Sequence, residues 1–226
     1  MKLAKRIFAI LLLVTLSLSM VACAEANILG VSTPTTALAV SDGSTVSDSE
    51  TPVAYRNDYF KYTCVLPDDW YVLNTDEIAQ MIGYTVDTLG ESDAGDVIQE
   101  TLESGESKMD FYAVSGDGMQ NINIVLGKLK VIEMLLPMQQ LLDASSKVLV
   151  SGLEDMGATN VTTSTKTIDF LGEERIALLV QGDYMGTTLY ETIFVMRDGM
   201  YNTSVTMTSF SQDGSQDTLA YFQPID

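Results

Sequence analysis

The sequence predicts an α+β domain, an antiparallel β-sheet with a C-terminal four-strand meander, flanked by helices. Three observations carry this reading. Between Val161 and Ser209, four β-patterned runs are separated by the turn signals Gly172-Glu173, Met185-Gly186 and Asp198-Gly199. Connections that short force antiparallel neighbours. Upstream, segments opening at Asn74 and Pro137 carry apolar residues at helical spacing. A hydrophobic fraction of 46% with only 16 Gly and 5 Pro fits a globular chain.

The first residues read as an export signal. Lys2, Lys5 and Arg6 precede an apolar run from Ile7 to Leu18, diluted only by Thr15 and Ser17. A bilayer span needs about 20 apolar residues, so this run suits a signal h-region, with an uncleaved anchor helix as the other reading. Leu18-Ser19-Met20-Val21-Ala22-Cys23 follows, and Met20-Val21-Ala22-Cys23 resembles the bacterial lipobox, with Met20 where Leu is usual. The resemblance implies a signal peptide over 1–22, a diacylglycerol on the Cys23 sulfur, and anchoring to the outer side of the bacterial cell membrane. Ala22-Cys23-Ala24 also spells an A-x-A site, which would release a soluble product. The cysteine directly abutting the h-region favours acylation, and two acyl chains hold stably where one does not.

From residue 23 to 54 the chain is Ser/Thr-rich with no persistent period. It reads as a flexible tether with a reach of roughly 30 Å. Residues 55–226 have the length of one domain.

In that domain, Phe60–Leu66 reads as a strand with Phe60, Tyr62, Cys64 and Leu66 on one face. Pro67-Asp68-Asp69 turns the chain into Trp70-Tyr71-Val72. Trp70, the single Trp, fits a core plug or, with Tyr71, a surface aromatic platform. Asn74 and Glu77 stand at N-cap and N3 spacing, opening a helix through Met81 and Ile82 to Gly83. A second helix is expected after Asp93, with Val97, Ile98 and Leu102 on one face. Met109, Phe111 and Ala113 alternate in one arm of a hairpin and Ile122, Ile124 and Leu126 in the other, around Ser115-Gly116-Asp117-Gly118. Pro137 starts a long helix carrying Met138, Leu141, Leu142, Val148, Leu149 and Leu153, closed by Gly157. Meander strands are expected at Val161–Phe170, Arg175–Tyr184, Thr187–Met196 and Met200–Ser209, then a closing helix from Ser215 to Phe222.

A strand running into Leu66-Pro67-Asp68-Asp69-Trp70, helices, a hairpin, a long helix, then a meander ending in Ser209-Phe210-Ser211 before a terminal helix resembles the PsbP/Mog1-like fold. The likeness spans about Tyr55 to Phe222. It implies a non-enzymatic binding or accessory module, as in uncharacterised bacterial lipoproteins of this fold.

Composition narrows the chemistry. The signal holds three of the 12 bases and no acid, so the remainder carries nine bases against 31 acids, net −22. That balance argues against nucleic acid as a partner. With no His in the chain, Ser-His-Asp, Cys-His and His-zinc systems are excluded. Cys64 is left as a lone, apolar thiol without the usual cationic partner. No phosphate-cradling Gly-rich motif occurs, and no cofactor is called for. Carboxylates are plentiful, and Asp68, Asp69, Glu173 and Glu174 are the candidates for a glycan hydrolase pair. Ser115–Gly118 and Asp213–Asp217 are acid- and Gly-rich without an EF-hand pattern, and turns explain them more simply. Met109, Met138, Met196 and Met207 fall on apolar faces, where packing explains them.

The sequence therefore leads to a membrane-anchored, extracytoplasmic, non-catalytic binding or accessory module. Its partners would be the membrane, through the lipid on Cys23, and an unidentified protein, peptide or envelope ligand. The alternatives are a carboxylate-based hydrolase and a weak divalent-cation binder, neither with a resident metal site in the motifs.

Overall fold

A computed structural model describes residues 54–89, 105, 107–129, 134–210 and 213–225. The signal, Cys23, the tether and the helix expected after Asp93 lie outside the described residues. A four-strand meander makes most of the large sheet. Its strands are β6 (Thr159–Phe170), β7 (Glu173–Tyr184), β8 (Thr187–Asp198) and β9 (Tyr201–Phe210). Their hairpins close on two residues each, Leu171-Gly172, Met185-Gly186 and Gly199-Met200, between the pairs Phe170–Glu173, Tyr184–Thr187 and Asp198–Tyr201. In the first two, both loop residues take positive φ, 59° and 82°, then 52° and 84°. That geometry matches the twist of a two-residue hairpin. The turns expected at Gly172-Glu173 and Asp198-Gly199 are thus each displaced by one residue.

Upstream lie β1 (Tyr55–Asn57), β2 (Tyr62–Cys64), β3 (Tyr71–Val72), β4 (Ser107–Val114) and β5 (Gln120–Lys128); β10 (Phe222–Pro224) ends the chain. Seven strands form one antiparallel sheet in the order β3-β4-β5-β9-β8-β7-β6, and a small sheet runs β1-β2-β10. The closing helix is a correction. A 3₁₀ helix spans only Asp217–Tyr221, and Phe222 starts a strand that pairs with Cys64. A free edge on β2 was available, and backbone pairing there satisfies groups a longer helix would leave open.

The two faces of the large sheet hold separate cores. On one lie helices α1 (Thr75–Leu89) and α2 (Met138–Asp155), with Met81, Leu142, Leu149 and Leu153 packed on Leu178, Ile193 and Val195. On the other lies the small sheet, with Tyr62, Cys64 and Phe222 packed on Phe170, Phe194 and Val205. Leu66 and Phe60 join the same cluster, so the alternation expected from Phe60 to Leu66 holds although the strand itself is shorter.

The hairpin departs from simple alternation. Met109 faces Val125 and Phe111 faces Ile124, so Asp110 is an extra residue in β4. The bulge sends Met109 to the helix face while Phe111 and Ala113 face the small sheet. One inserted residue reverses every side chain beyond it.

Both helix ends follow from local chemistry. Asn74 Oδ1 accepts from the backbone N–H groups of Asp76 and Glu77, and Glu77 Oε2 accepts from Asn74 N, a reciprocal capping box. Gly83 does not stop α1, which runs on to Leu89. At the end of α2, Gly157 takes φ +95°, its N–H reaches Glu154 O, and Ala158 N–H reaches Leu153 O. This closure satisfies two terminal carbonyls. Ser145 and Gly152 lie buried on the packing face of α2, and Ser145 Oγ donates to Leu141 O at 2.9 Å. Among the described residues, no helix is long and apolar enough to cross a membrane.

Candidate functional site

A groove of about 900 Å³ separates α1 from the β4–β5 turn. Tyr71, Leu73, Met81 and Val114 supply its apolar lining, and Glu77, Asp87 and Asp117 its carboxylates. Edge strand β3 is two residues long because only Tyr71 and Val72 pair with β4. Tyr71 is consequently 55% exposed.

The groove's polar groups are held by their neighbours. Tyr71 Oη donates to Glu77 Oε1 at 2.5 Å, while the other Glu77 oxygen caps α1. Those two donors hold the Glu77 carboxyl below its ordinary range. Across the groove, Asp117 Oδ1 accepts from Ser115 Oγ at 2.6 Å and from Met119 N at 2.9 Å, which lowers the Asp117 carboxyl likewise. Gly116 is required here, since a Cβ would stand 2.7 Å from the backbone oxygen of Asp69. That contact ties the 67–70 turn to the hairpin loop. The Ser115–Gly118 loop is a turn closed by Gly118 N–H to Ser115 O at 2.8 Å, as its sequence suggested.

Of the two candidate aromatics, Trp70 turns inward. It is partly buried and meets Tyr221 edge-on at 5.6 Å. Tyr71 turns outward into the groove, so the structure divides the pair between core and surface. The hydrolase candidates Asp68, Asp69, Glu173 and Glu174 are all exposed, and Glu173 binds Arg175 at 2.6 Å. Cys64 is fully buried, and burial pushes its thiol up to about 12. It is a packing residue, not a nucleophile. The Asp213–Asp217 stretch starts the 3₁₀ helix: Asp217 N–H reaches Gly214 O, and Ser215 Oγ meets Thr192 Oγ1 at 2.9 Å. Among the described residues, no three Cys, Asp or Glu side chains converge on a metal-sized site.

One feature went unseen in the sequence. On the helix face of the sheet, Glu191, Thr208 and Asn121 lie side by side on β8, β9 and β5, with Thr206 and Asn123 on the next rung. All five are at most 1% exposed. Thr208 Oγ1 donates to Glu191 Oε1 at 3.3 Å. Among the described residues, the other Glu191 oxygen, both amides and the Thr206 hydroxyl have no hydrogen-bond partner. Burial pushes the Glu191 carboxyl up to about 8, so it is protonated at neutral pH. Alternation along β5 and β9 could have located these residues on one face, but not that the face is covered.

No family model matches the chain, and no curated protein matches it in sequence. Among solved structures, it is similar to cyanobacterial PsbP from Synechocystis, at 10% identity, with 80% of this chain and 98% of that one covered and a TM-score of 0.46. It is similar to LpqN, involved in cell envelope biogenesis of Mycobacterium tuberculosis, at 13% identity, 70% and 75% coverage and a TM-score of 0.37. The Saccharomyces cerevisiae Ran-binding protein Mog1p gives 12% identity, 78% and 97% coverage and a TM-score of 0.38. At these scores the likeness carries no functional inference; the α+β class rests on the strand order itself.

Proposed function

We propose that this chain is a lipid-anchored, extracytoplasmic binding module that does no covalent chemistry, and that its ligand occupies the groove beside Tyr71. The lining of the groove carries the proposal: a half-exposed aromatic over Leu73, Met81 and Val114, rimmed by the carboxylates of Glu77, Asp87 and Asp117. A glycosidase needs one carboxyl kept protonated beside an ionised one. Glu77 and Asp117 are both shifted the other way by their donors. The protonated carboxyl of Glu191 is buried on the helix-side face of β8 and does not line this groove. An apolar floor with an anionic rim suits a polypeptide segment that offers a basic side chain next to an apolar one.

The test is an array of immobilised 12-residue peptides probed with the mature chain. Peptides pairing Lys or Arg with an aromatic are expected to be retained, and Tyr71→Ala to weaken them about tenfold, as loss of an interface aromatic does. Retention that ignores peptide charge, or is unchanged by Tyr71→Ala, would sink the assignment. The extracytoplasmic location is supported by Lys2–Arg6, the apolar run and Met20–Cys23.

A further inference from the structure

Strand β4 spans eight residues, about 25 Å, from the groove at Val114 to Ser107. The distant end of the sheet gathers the β8–β9 turn, the end of β5 and the β1–β2 turn. Lys128 and Asp198 both pair with Tyr201, and Ser107 pairs with Gly127. Tyr59 Oη donates to Asp198 O at 3.1 Å, and its ring meets Tyr201 edge-on at 5.5 Å.

Charge divides along this axis. Arg56, Lys61, Lys108, Lys128 and Arg197 stand at the distant end against Asp58, Asp110 and Asp198. Farther along the same edge, the β6–β7 turn adds Arg175 with Asp169, Glu173 and Glu174. The other described residues carry two bases, Lys147 and Lys166, against 12 acids besides the buried Glu191. The end is thus neutral while the rest of the surface is strongly anionic. It also bears exposed apolar groups. Tyr59 is 50% exposed, Met200 47%, and Leu135, beside the Leu136 carbonyl that accepts from Arg197, 75%.

Arg56, Lys108 and Arg175 are held in ion pairs with Asp58, Asp110 and Glu173, and Arg197 donates to Leu136 O. We propose that this end docks on the headgroups of an anionic phospholipid bilayer, with Tyr59, Met200 and Leu135 in the interface, Lys61 and Lys128 against phosphates, and the groove facing away. Aromatic side chains settle at headgroup depth, and Lys and Arg near the surface are drawn to anionic lipid. The remaining surface of the domain is repelled by the same lipid, so the neutral end with its exposed apolar groups is the one left to face the membrane. The tether enters at Ala54, five residues before Tyr59, so little chain separates the anchor's arrival from the patch. The proposal rests on acylation of Cys23, which brings the domain to the membrane.

Trp70 makes the orientation measurable, since it is the single Trp and lies by the 67–70 turn at the groove end. The acylated chain is reconstituted in phosphatidylcholine vesicles with phosphatidylglycerol, and doxyl-labelled lipids serve as quenchers. Compared with it are Tyr59→Trp and, as a second probe site, Met200→Trp, each combined with Trp70→Phe. The probes at 59 and 200 are expected to be quenched about twofold more than Trp70. Lys61→Glu with Lys128→Glu, or high salt, is expected to remove the difference. Probes that remain as unquenched as Trp70 on a chain that floats with the vesicles overturn the docking and leave the anchor standing. A chain that does not float overturns the anchor, and the docking with it.

Discussion

Glu191→Gln is expected to stabilise the domain by about 3 kcal/mol at pH 7 and by under about 1 kcal/mol at pH 5. The folded-state carboxyl is raised to about 8 from 4.5 by burial among Asn121, Thr206 and Thr208. Between those two pH values the folded chain keeps a proton that the unfolded chain has released. Stability therefore falls as pH rises through that window, by about 1.4 kcal/mol per unit. Gln presents the same acceptor to Thr208 and has nothing to ionise. In a domain of this size, about 3 kcal/mol is roughly 6–12 °C in Tm. Melting both proteins across the window checks it. Curves that run parallel from pH 5 to pH 8 would mean that Glu191 is solvated and the polar rungs are not sealed.

Phe170→Ala is expected to cost about 3–5 kcal/mol, the range for truncating a buried aromatic. Phe170 is 1% exposed and joins the two sheets, with ring centres 6.0 Å from Tyr62, 5.3 Å from Phe222 and 4.6 Å from Phe194. The small sheet has three short strands, too few to stand alone, so its order depends on this contact. The loss should appear in urea titration as a lower midpoint with the slope retained. A cost under about 1 kcal/mol would show that the small sheet does not pack here as described.

What could be read from the sequence follows from where local chemistry decides. The capping box at Asn74 and Glu77, the closure at Gly157 and the Met185-Gly186 turn each depend on a few adjacent residues, and each stands where its letters put it. No register shift interrupts the β7–β8 and β8–β9 pairings, so strict alternation puts Ile176, Leu178 and Val180 in the helix-side core and Val205 and Met207 in the other. The bulge at Asp110 has no such local mark. Its Asp110 carboxylate is held by a partner distant in sequence, Tyr55, whose hydroxyl donates to Asp110 Oδ2 at 2.8 Å. The fate of Phe222 was hidden for the same reason, since its strand exists only because β2 offers an edge 158 residues earlier.

The site was legible only in part. Tyr71 could be named from its place after a Pro turn, but the groove is made by α1 and a hairpin loop that come together in three dimensions. Asn121, Asn123, Thr206 and Thr208 have the composition of a solvated strand face. Only the layer arrangement shows them buried, and that is what turns Glu191 from an ordinary acid into a proton carrier.

The tethered arrangement, from groove to docking surface, depends on the first residue of the mature chain. Mass spectrometry of the N-terminal peptide, taken from membranes of cells making the protein, tests it most directly. A chain beginning at Cys23 with a diacylglycerol on sulfur is the predicted result. An unmodified N-terminus at Glu25 would contradict it.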